Sequence, residues 1–234
     1  MQYMTNRLNN MLVASIFAIG LVYSATGVAQ DSVEPQAGGR AALEQFASEL
    51  DTFHATFEQV VLNSDGMVQD ANEGELWLSR PSLFRWEYGG DFPETIVADG
   101  KRIWLYDVSL EQITVRDQSS LASDSPLALL TDLDRLDEQF EVRDLGVDQG
   151  LAYVELRSIA EDAEFDRVLL GIAGQELKLI AMEDAFGLRT EIRLSSSQRN
   201  PELAPDQFTF EPPEDVDIVG DLVLLNDLNS EEAE

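Results

Sequence analysis

The stretch GELWLSRPSLFRWEY, residues 74–88, decides how the rest of the chain is read. Its two ends, Gly74–Ser79 and Leu83–Tyr88, are short runs rich in aromatic and aliphatic side chains, split by Arg80-Pro81. Such runs read as strands, and a proline that cannot donate to a ladder marks the break between them. The connection suits a hairpin. Leu76 and Leu78 flank Trp77 where successive side chains point to opposite faces, so the first strand is apolar on both sides.

Working outward, runs of the same kind continue through Glu94–Ala98, Arg102–Tyr106 and Gln112–Arg116, with Gly89-Gly90 and Asp99-Gly100 as turn signals. Ile103 and Leu105 alternate with Trp104 and Tyr106, again greasy on both faces. Toward the N-terminus, Phe53, Ala55 and Phe57 alternate with His54, Thr56 and Glu58, the pattern of a half-buried strand. Before it, Leu43, Phe46, Ala47 and Leu50 recur at helical spacing, which predicts a short amphipathic helix over Arg40–Asp51. Helical spacing returns between Ser125 and Leu136, with Ser125 as N-cap, Pro126 in the first turn, and Leu129, Leu130, Leu133 and Leu136 apolar. A second meander follows through Phe140–Asp144, Ala152–Arg157, Phe165–Ile172, Glu176–Met182 and Leu188–Ser195. Asn200-Pro201 and Pro205 then mark a loop before Phe208–Phe210.

The sum is a mainly β domain over residues 40–220 with about eleven antiparallel strands. Two-faced apolar strands fit a sheet that curls around a cavity with its back covered, and they fit an ordinary packed core as well.

At the N-terminus, Arg7 precedes an uncharged stretch from Met11 to Tyr23, and Gly27 and Ala29 occupy the small-residue positions before a cleavage point. Residues 1–29 therefore read as a signal peptide cut near Ala29-Gln30, followed by a flexible segment over 30–39, and residues 221–234 as an acidic tail. The apolar run is shorter than the roughly 20 residues a spanning helix needs, so the mature chain is expected to be exported, soluble and not integrated in a membrane. Cysteine is absent, which excludes disulfides, thiolate metal sites and a lipid-modified N-terminal cysteine.

With 45 acidic and 15 basic residues the net charge is −30, and losing Arg7 with the signal makes it −31. Such a field repels nucleic acid and anionic membranes. It serves either to steer the protein toward basic partner patches or to keep it soluble in a salty habitat. The chemistry inventory is thin: the single histidine, His54, falls on the polar side of its strand and reads as a solvated surface residue. No G-x-S-x-G elbow, H-E-x-x-H pair or Walker loop occurs. Asp132, Asp134 and Asp137 lack the turn glycine and spaced oxygens of a calcium loop. Neither an enzyme nor a metal or other cofactor is expected.

Residues 74–88 resemble the most recognisable block of the LolA family, the outer-membrane lipoprotein carrier proteins, with Arg80, Pro81, Phe84, Arg85 and Trp86 matching. The run DGKRIWLYD, residues 99–107, leading to Glu111-Gln112 and Thr114-Val115, is similar to a second block, with Val108 where a proline is frequent. Phe57 with Gln59, Ser125-Pro126 with Leu129-Leu130, Asp184 with Phe186-Gly187, and Phe208 to Phe210 through Pro213 to Asp217-Ile218 also match, while Leu188 departs from a frequent polar residue. Together these blocks span roughly residues 40–219.

The resemblance implies an incomplete antiparallel β-barrel of about eleven strands closed by a lid of short helices. It implies a monomeric periplasmic chaperone that shelters lipoprotein acyl chains in an apolar cavity, taking them from an inner-membrane ATP-driven exporter to an outer-membrane receptor. Each buried CH₂ is worth about 0.8 kcal/mol, so acyl chains leave a membrane only for an equivalent apolar site. On that reading Phe53, Phe57, Leu78, Phe84 and Trp86 line the cavity. Leu43, Phe46, Leu50, Leu129, Leu130 and Leu133 belong to the lid, and Arg80 is the latch that bonds lid carbonyls. The alternative is a periplasmic regulator of the same half-barrel fold that senses lipid or misfolded protein.

Overall fold

Period-two alternation organises nearly the whole chain. The computed structural model describes residues 38–118, 136–160, 163 and 165–220. Within them, helix α1 (Gly39–Ala47) leads into strands β1 (Thr52–Leu62), β2 (Val68–Ser79), β3 (Leu83–Tyr88), β4 (Glu94–Ala98), β5 (Arg102–Asp107) and β6 (Gln112–Asp117). A single turn of helix, α2 (Leu136–Gln139), precedes β7 (Phe140–Asp148), β8 (Leu151–Ser158), β9 (Arg167–Ala173), β10 (Glu176–Glu183) and β11 (Arg189–Arg199), and β12 (Asp217–Gly220) closes the list.

All twelve strands form one open sheet in the order β12-β6-β5-β4-β3-β2-β1-β11-β10-β9-β8-β7. Two meanders, β1–β6 and β7–β11, join through the antiparallel β1–β11 pair. The fold is an incomplete barrel with a short helix on its inner face. Eleven strands stand where the alternation predicts them. The twelfth was not foreseen: β12 is four residues long, exposed throughout, and runs parallel to β6 at the sheet edge.

The two-faced strands resolve in favour of a sheet covered on both sides along β4–β6. Ile103 packs inward with Phe84 and Ala98, with Ile96 and Leu105 against them. Trp104 turns outward with Val97, Ile113 and Val115, where Phe210 and Val216 cover it. Phe210 sits 5.3 Å from the Trp104 ring, and the Trp104 Nε1–H donates to Asp99 Oδ2 at 2.8 Å. The loop from Asn200 onward thus returns to seal the back of the sheet.

Two boundaries differ from the sequence expectation. The first helix ends at Ala47 and not near Asp51, although Leu50 beyond it is still buried. Strand β1 runs on to Leu62, where Asn63 Oδ1 accepts the Asp65 and Met67 N–H groups and Gly66 takes φ +77, closing a tight turn into β2.

Candidate functional site

The registers bring the five expected cavity residues onto one face. Phe53 lies opposite Leu78 and Leu78 opposite Phe84, while Phe57 pairs with Gly74 and Trp86 with Leu76. All five, Phe53, Phe57, Leu78, Phe84 and Trp86, are buried on the inner surface of β1, β2 and β3. The Phe57 ring is 4.4 Å from the Trp86 ring and meets Tyr88 edge-on at 5.4 Å. Glycine at position 74 makes this possible, since a Cβ there would fall 2.7 Å from Phe57 Cζ. The result is an aromatic wall.

Four polar groups interrupt that wall. Tyr88 donates its hydroxyl to Gln59 Oε1 at 3.1 Å, and its phenol is pushed up to about 12 by burial and by the negative charge of Glu94. Glu94 itself titrates above its ordinary range because of burial and the neighbouring Asp107. The Trp86 Nε1–H is buried and makes no well-aligned hydrogen bond, although it lies near enough to the Tyr88 phenol to pull against that upward shift. Sequence reading singled out Phe57 and Trp86 but gave Tyr88 no role and Gln59 only a place in a family block. The signal was present: Gln59 and Tyr88 occupy the next inward positions after Phe57 and Trp86.

Helix α1 covers the other half of the inner face, against β7, β8 and β9. The lid candidates Leu43 and Phe46 are buried beneath it, and Leu50 just beyond, in one cluster with Val154, Leu170 and Ile172. Phe46 meets Phe53 edge-on at 5.6 Å, so helix and aromatic wall touch. Leu129, Leu130 and Leu133, with the capping pair Ser125-Pro126, lie outside the described residues, as do residues 1–37 and the tail 221–234.

Both ends of α1 are held by side chains from elsewhere. At its start, the Asp144 carboxylate accepts the backbone N–H groups of Gly146, Gly39 and Arg40, which hold it below its usual range. Arg40 grips Asp137 of α2 through two bonds of 2.9 and 2.6 Å, so Asp137 is an ion-pair partner. At the helix C-terminus two arginines converge. Arg199 Nη2 donates to the carbonyls of Phe46 at 3.0 Å and Ser48 at 2.6 Å, and Arg80 Nη1 donates to the carbonyl of Ala47 at 3.4 Å. Asn200 adds three bonds, accepting from the N–H groups of Asp51 and Thr52 and donating to the Glu49 carbonyl. Sequence reading picked out Arg80 through the family block and missed Arg199 and Asn200, which carry no periodic signal.

Two sites of possible acid-base chemistry prove structural. His54 is not simply solvated: it stacks on Trp77 at 5.1 Å and shares a 2.9 Å contact with Glu75 Oε2 on the outer face. Glu155, a buried carboxylate on that same face, is surrounded by Arg157, Arg167 and Arg143 at 2.9, 3.6 and 4.0 Å. Charges so paired are neutralised in place. Among the described residues no group of three or more histidine, aspartate or glutamate side chains is arranged to hold a metal ion.

Comparison with known proteins gives a consistent result. Residues 48–211 match the family model described as outer membrane lipoprotein carrier protein LolA. A protein of Dechloromonas aromatica named outer-membrane lipoprotein carrier protein is 36% identical over 200 residues, covering 86% of this chain and 96% of that protein. A Methylobacillus flagellatus protein of the same name is 38% identical over 186 residues, 80% of this chain and 91% of its own. Among solved structures, an uncharacterised conserved protein from Thermus thermophilus shares the fold, with a TM-score of 0.52 at 14% identity over 78% of this chain and 98% of its own.

Proposed function

The chain belongs to the LolA family of outer-membrane lipoprotein carriers, and from that premise we propose that it carries lipoproteins by holding their acyl chains against the aromatic wall of β1–β3. The observation that carries this reading is the continuous inward row Phe53, Phe57, Leu78, Phe84 and Trp86, buried yet punctuated by the Gln59–Tyr88 pair and the Trp86 N–H, which makes no well-aligned hydrogen bond. Hydrocarbon needs an apolar surface, and the ester carbonyls of a lipidated cysteine need donors.

Cargo must also leave. Arg80 offers a long, breakable bond to the end of α1, in contrast to the shorter bonds of Arg199. In the empty carrier this bond favours closure; acyl chains entering beside it compete with that closed arrangement, and its re-formation helps expel them. In this reading residues 1–29 direct export and are removed near Ala29-Gln30, the carrier works in the periplasm as a monomer, and it shuttles between an inner-membrane exporter and an outer-membrane receptor.

Displacement of a fluorescent apolar dye tests the binding step. An acylated peptide should displace the dye and the same peptide without lipid should not; equal displacement by both would falsify acyl-chain recognition.

A further inference from the structure

Antiparallel strands alternate in direction, so every second connection of the sheet falls on the same rim. The turns β1–β2, β3–β4, β5–β6, β8–β9 and β10–β11 share one rim, and each presents an apolar side chain to solvent. These are Met67 at 57% exposure, Phe92 at 78%, Leu110 at 69%, Ile159 at 63% and Phe186 at 90%. The turns of the opposite rim, β2–β3, β4–β5, β7–β8 and β9–β10, hold no exposed large apolar residue among the described residues and carry Arg80 and Lys101; the exposed apolar side chains nearest to them are Leu145 and Val147, on the last residues of β7. Single exposed apolar side chains are ordinary, but one at the tip of every turn along a single rim is not. With strands about 4.8 Å apart, the tips of adjacent hairpins stand roughly 10 Å apart along the rim.

The charge between the tips identifies what fits them. The five turns contain Asp65, Asp91, Glu111, Asp166 and Asp184, and no lysine or arginine. An anionic bilayer would meet those carboxylates with repulsion, whereas a basic protein surface complements them. Strands β1 and β3 run toward this rim, so the Tyr88 end of the aromatic wall opens beside it and the Arg80 end lies farthest away.

We propose that this rim is the docking face of the carrier, taking a protein partner whose surface offers apolar pockets ringed by lysine and arginine. The proposal rests on the carrier reading above and adds the end of the sheet at which transfer occurs. Acyl chains seated along the aromatic wall, with Arg80 at its far end, leave past Tyr88 into the docked partner.

The test uses the full mature protein with Met67→Ser, Phe92→Ser, Leu110→Ser and Phe186→Ser combined, and Lys101→Ser on the opposite rim as control. Three binding measurements are made: to an acylated peptide, to the immobilised outer-membrane lipoprotein receptor of the same bacterium, and to vesicles of phosphatidylethanolamine and phosphatidylglycerol at 3:1. The rim variant should bind acylated peptide like wild type and lose at least tenfold in receptor affinity; the control should lose nothing, and no form should bind the vesicles. Unchanged receptor affinity with intact peptide binding overturns the rim and leaves the carrier reading standing. Failure of wild type itself to bind acylated peptide overturns the carrier reading. Vesicle binding by wild type that the variant loses assigns the rim to membrane and overturns protein docking. Phe92→Ser with Phe186→Ser alone, both well out in solvent, gives the same comparison should four changes impair folding.

Discussion

Beneath α1, strands β8 and β9 present Ala152, Val154, Leu156, Val168, Leu170 and Ile172, aliphatic side chains without a polar atom. On the same face of the same sheet, β1 and β3 present Phe53, Phe57, Phe84, Trp86 and Tyr88. Branched aliphatic side chains interdigitate and are sealed by the helix, which is how a core is built. Aromatic rings give broad flat surfaces with a polar handle on Tyr and Trp, which suits contact with a ligand that is itself part hydrocarbon and part ester. On the proposed carrier reading, one half of the face holds the fold together and the other takes the cargo.

The largest expected effect comes from breaking that division. Leu170→Ala removes a fully buried side chain from the aliphatic half and should cost about 2–5 kcal/mol in unfolding free energy. Acyl-peptide affinity of the folded fraction should not change. Phe84→Leu on the aromatic side should cost about 1.5 kcal/mol or less, yet weaken acyl-peptide binding by up to about tenfold. Urea titration and peptide binding on both variants decide it. If Phe84→Leu leaves affinity intact while Leu170→Ala lowers it, the two halves have been assigned the wrong way round.

A smaller effect sharpens the boundary, where two arginines reach the end of α1 from strands on either side of β1. Arg199→Leu removes two short bonds to helix carbonyls and should lower stability without changing how fast cargo is discharged. Arg80→Leu removes the long bond to the Ala47 carbonyl, worth about 1.5–3 kcal/mol at most for a charged donor, and adds apolar wall beside the proposed cargo site. Loaded with a labelled lipoprotein and mixed with receptor, this variant should discharge tenfold to hundredfold more slowly, by the conversion of about 1.4 kcal/mol per decade. Equal discharge by Arg80→Leu and wild type would return Arg80 to an anchoring role like that of Arg199.

How far the sequence carried this division depends on the kind of signal each part leaves. The aromatic wall was legible because period-two alternation puts Phe53 and Phe57, or Phe84 and Trp86, on one face whatever they pack against. Arg199 and Asn200 were not, because their bonds to Phe46, Ser48 and Asp51 span about 150 residues of chain and follow no local period. The end of β1 escaped notice although Asn63-Ser64-Asp65-Gly66 is a plain turn sequence, since Val60, Val61 and Leu62 before it break the alternation. Strand β12 is short and solvent-facing, paired on one side, and its identity as a strand comes from the β6 edge. The apolar rim was invisible for a different reason: Phe92 and Phe186 are ordinary turn residues until topology sets them on one rim.

The smallest effects are titrations, and they separate the two halves by pH. The Tyr88 phenol is raised from 10.0 to about 12, so the fold favours its neutral form. Its contribution to stability is complete below pH 10, where the unfolded phenol is also protonated, and is lost as pH rises through about 12. Asp144 and Asp137 behave oppositely. Backbone donors of α1 and of Gly146 hold Asp144 down from its ordinary 3.8, and Arg40 does the same for Asp137. Their contributions are present above about pH 4 and disappear as pH falls through the lowered values. Both carboxylates are exposed and salt-screened, so the acid limb should be shallow and flatten further in high salt. Denaturant midpoints measured across pH should lose the alkaline fall in Tyr88→Phe alone, and part of the acid fall in Asp144→Asn and Asp137→Asn alone. Because Tyr88 lies on the proposed cargo wall and the two aspartates hold α1, acyl-peptide binding should weaken with the alkaline limb and ignore the acid one. A peptide affinity that tracks the acid limb instead would mean that seating α1, and not the aromatic wall, governs the hold on acyl chains.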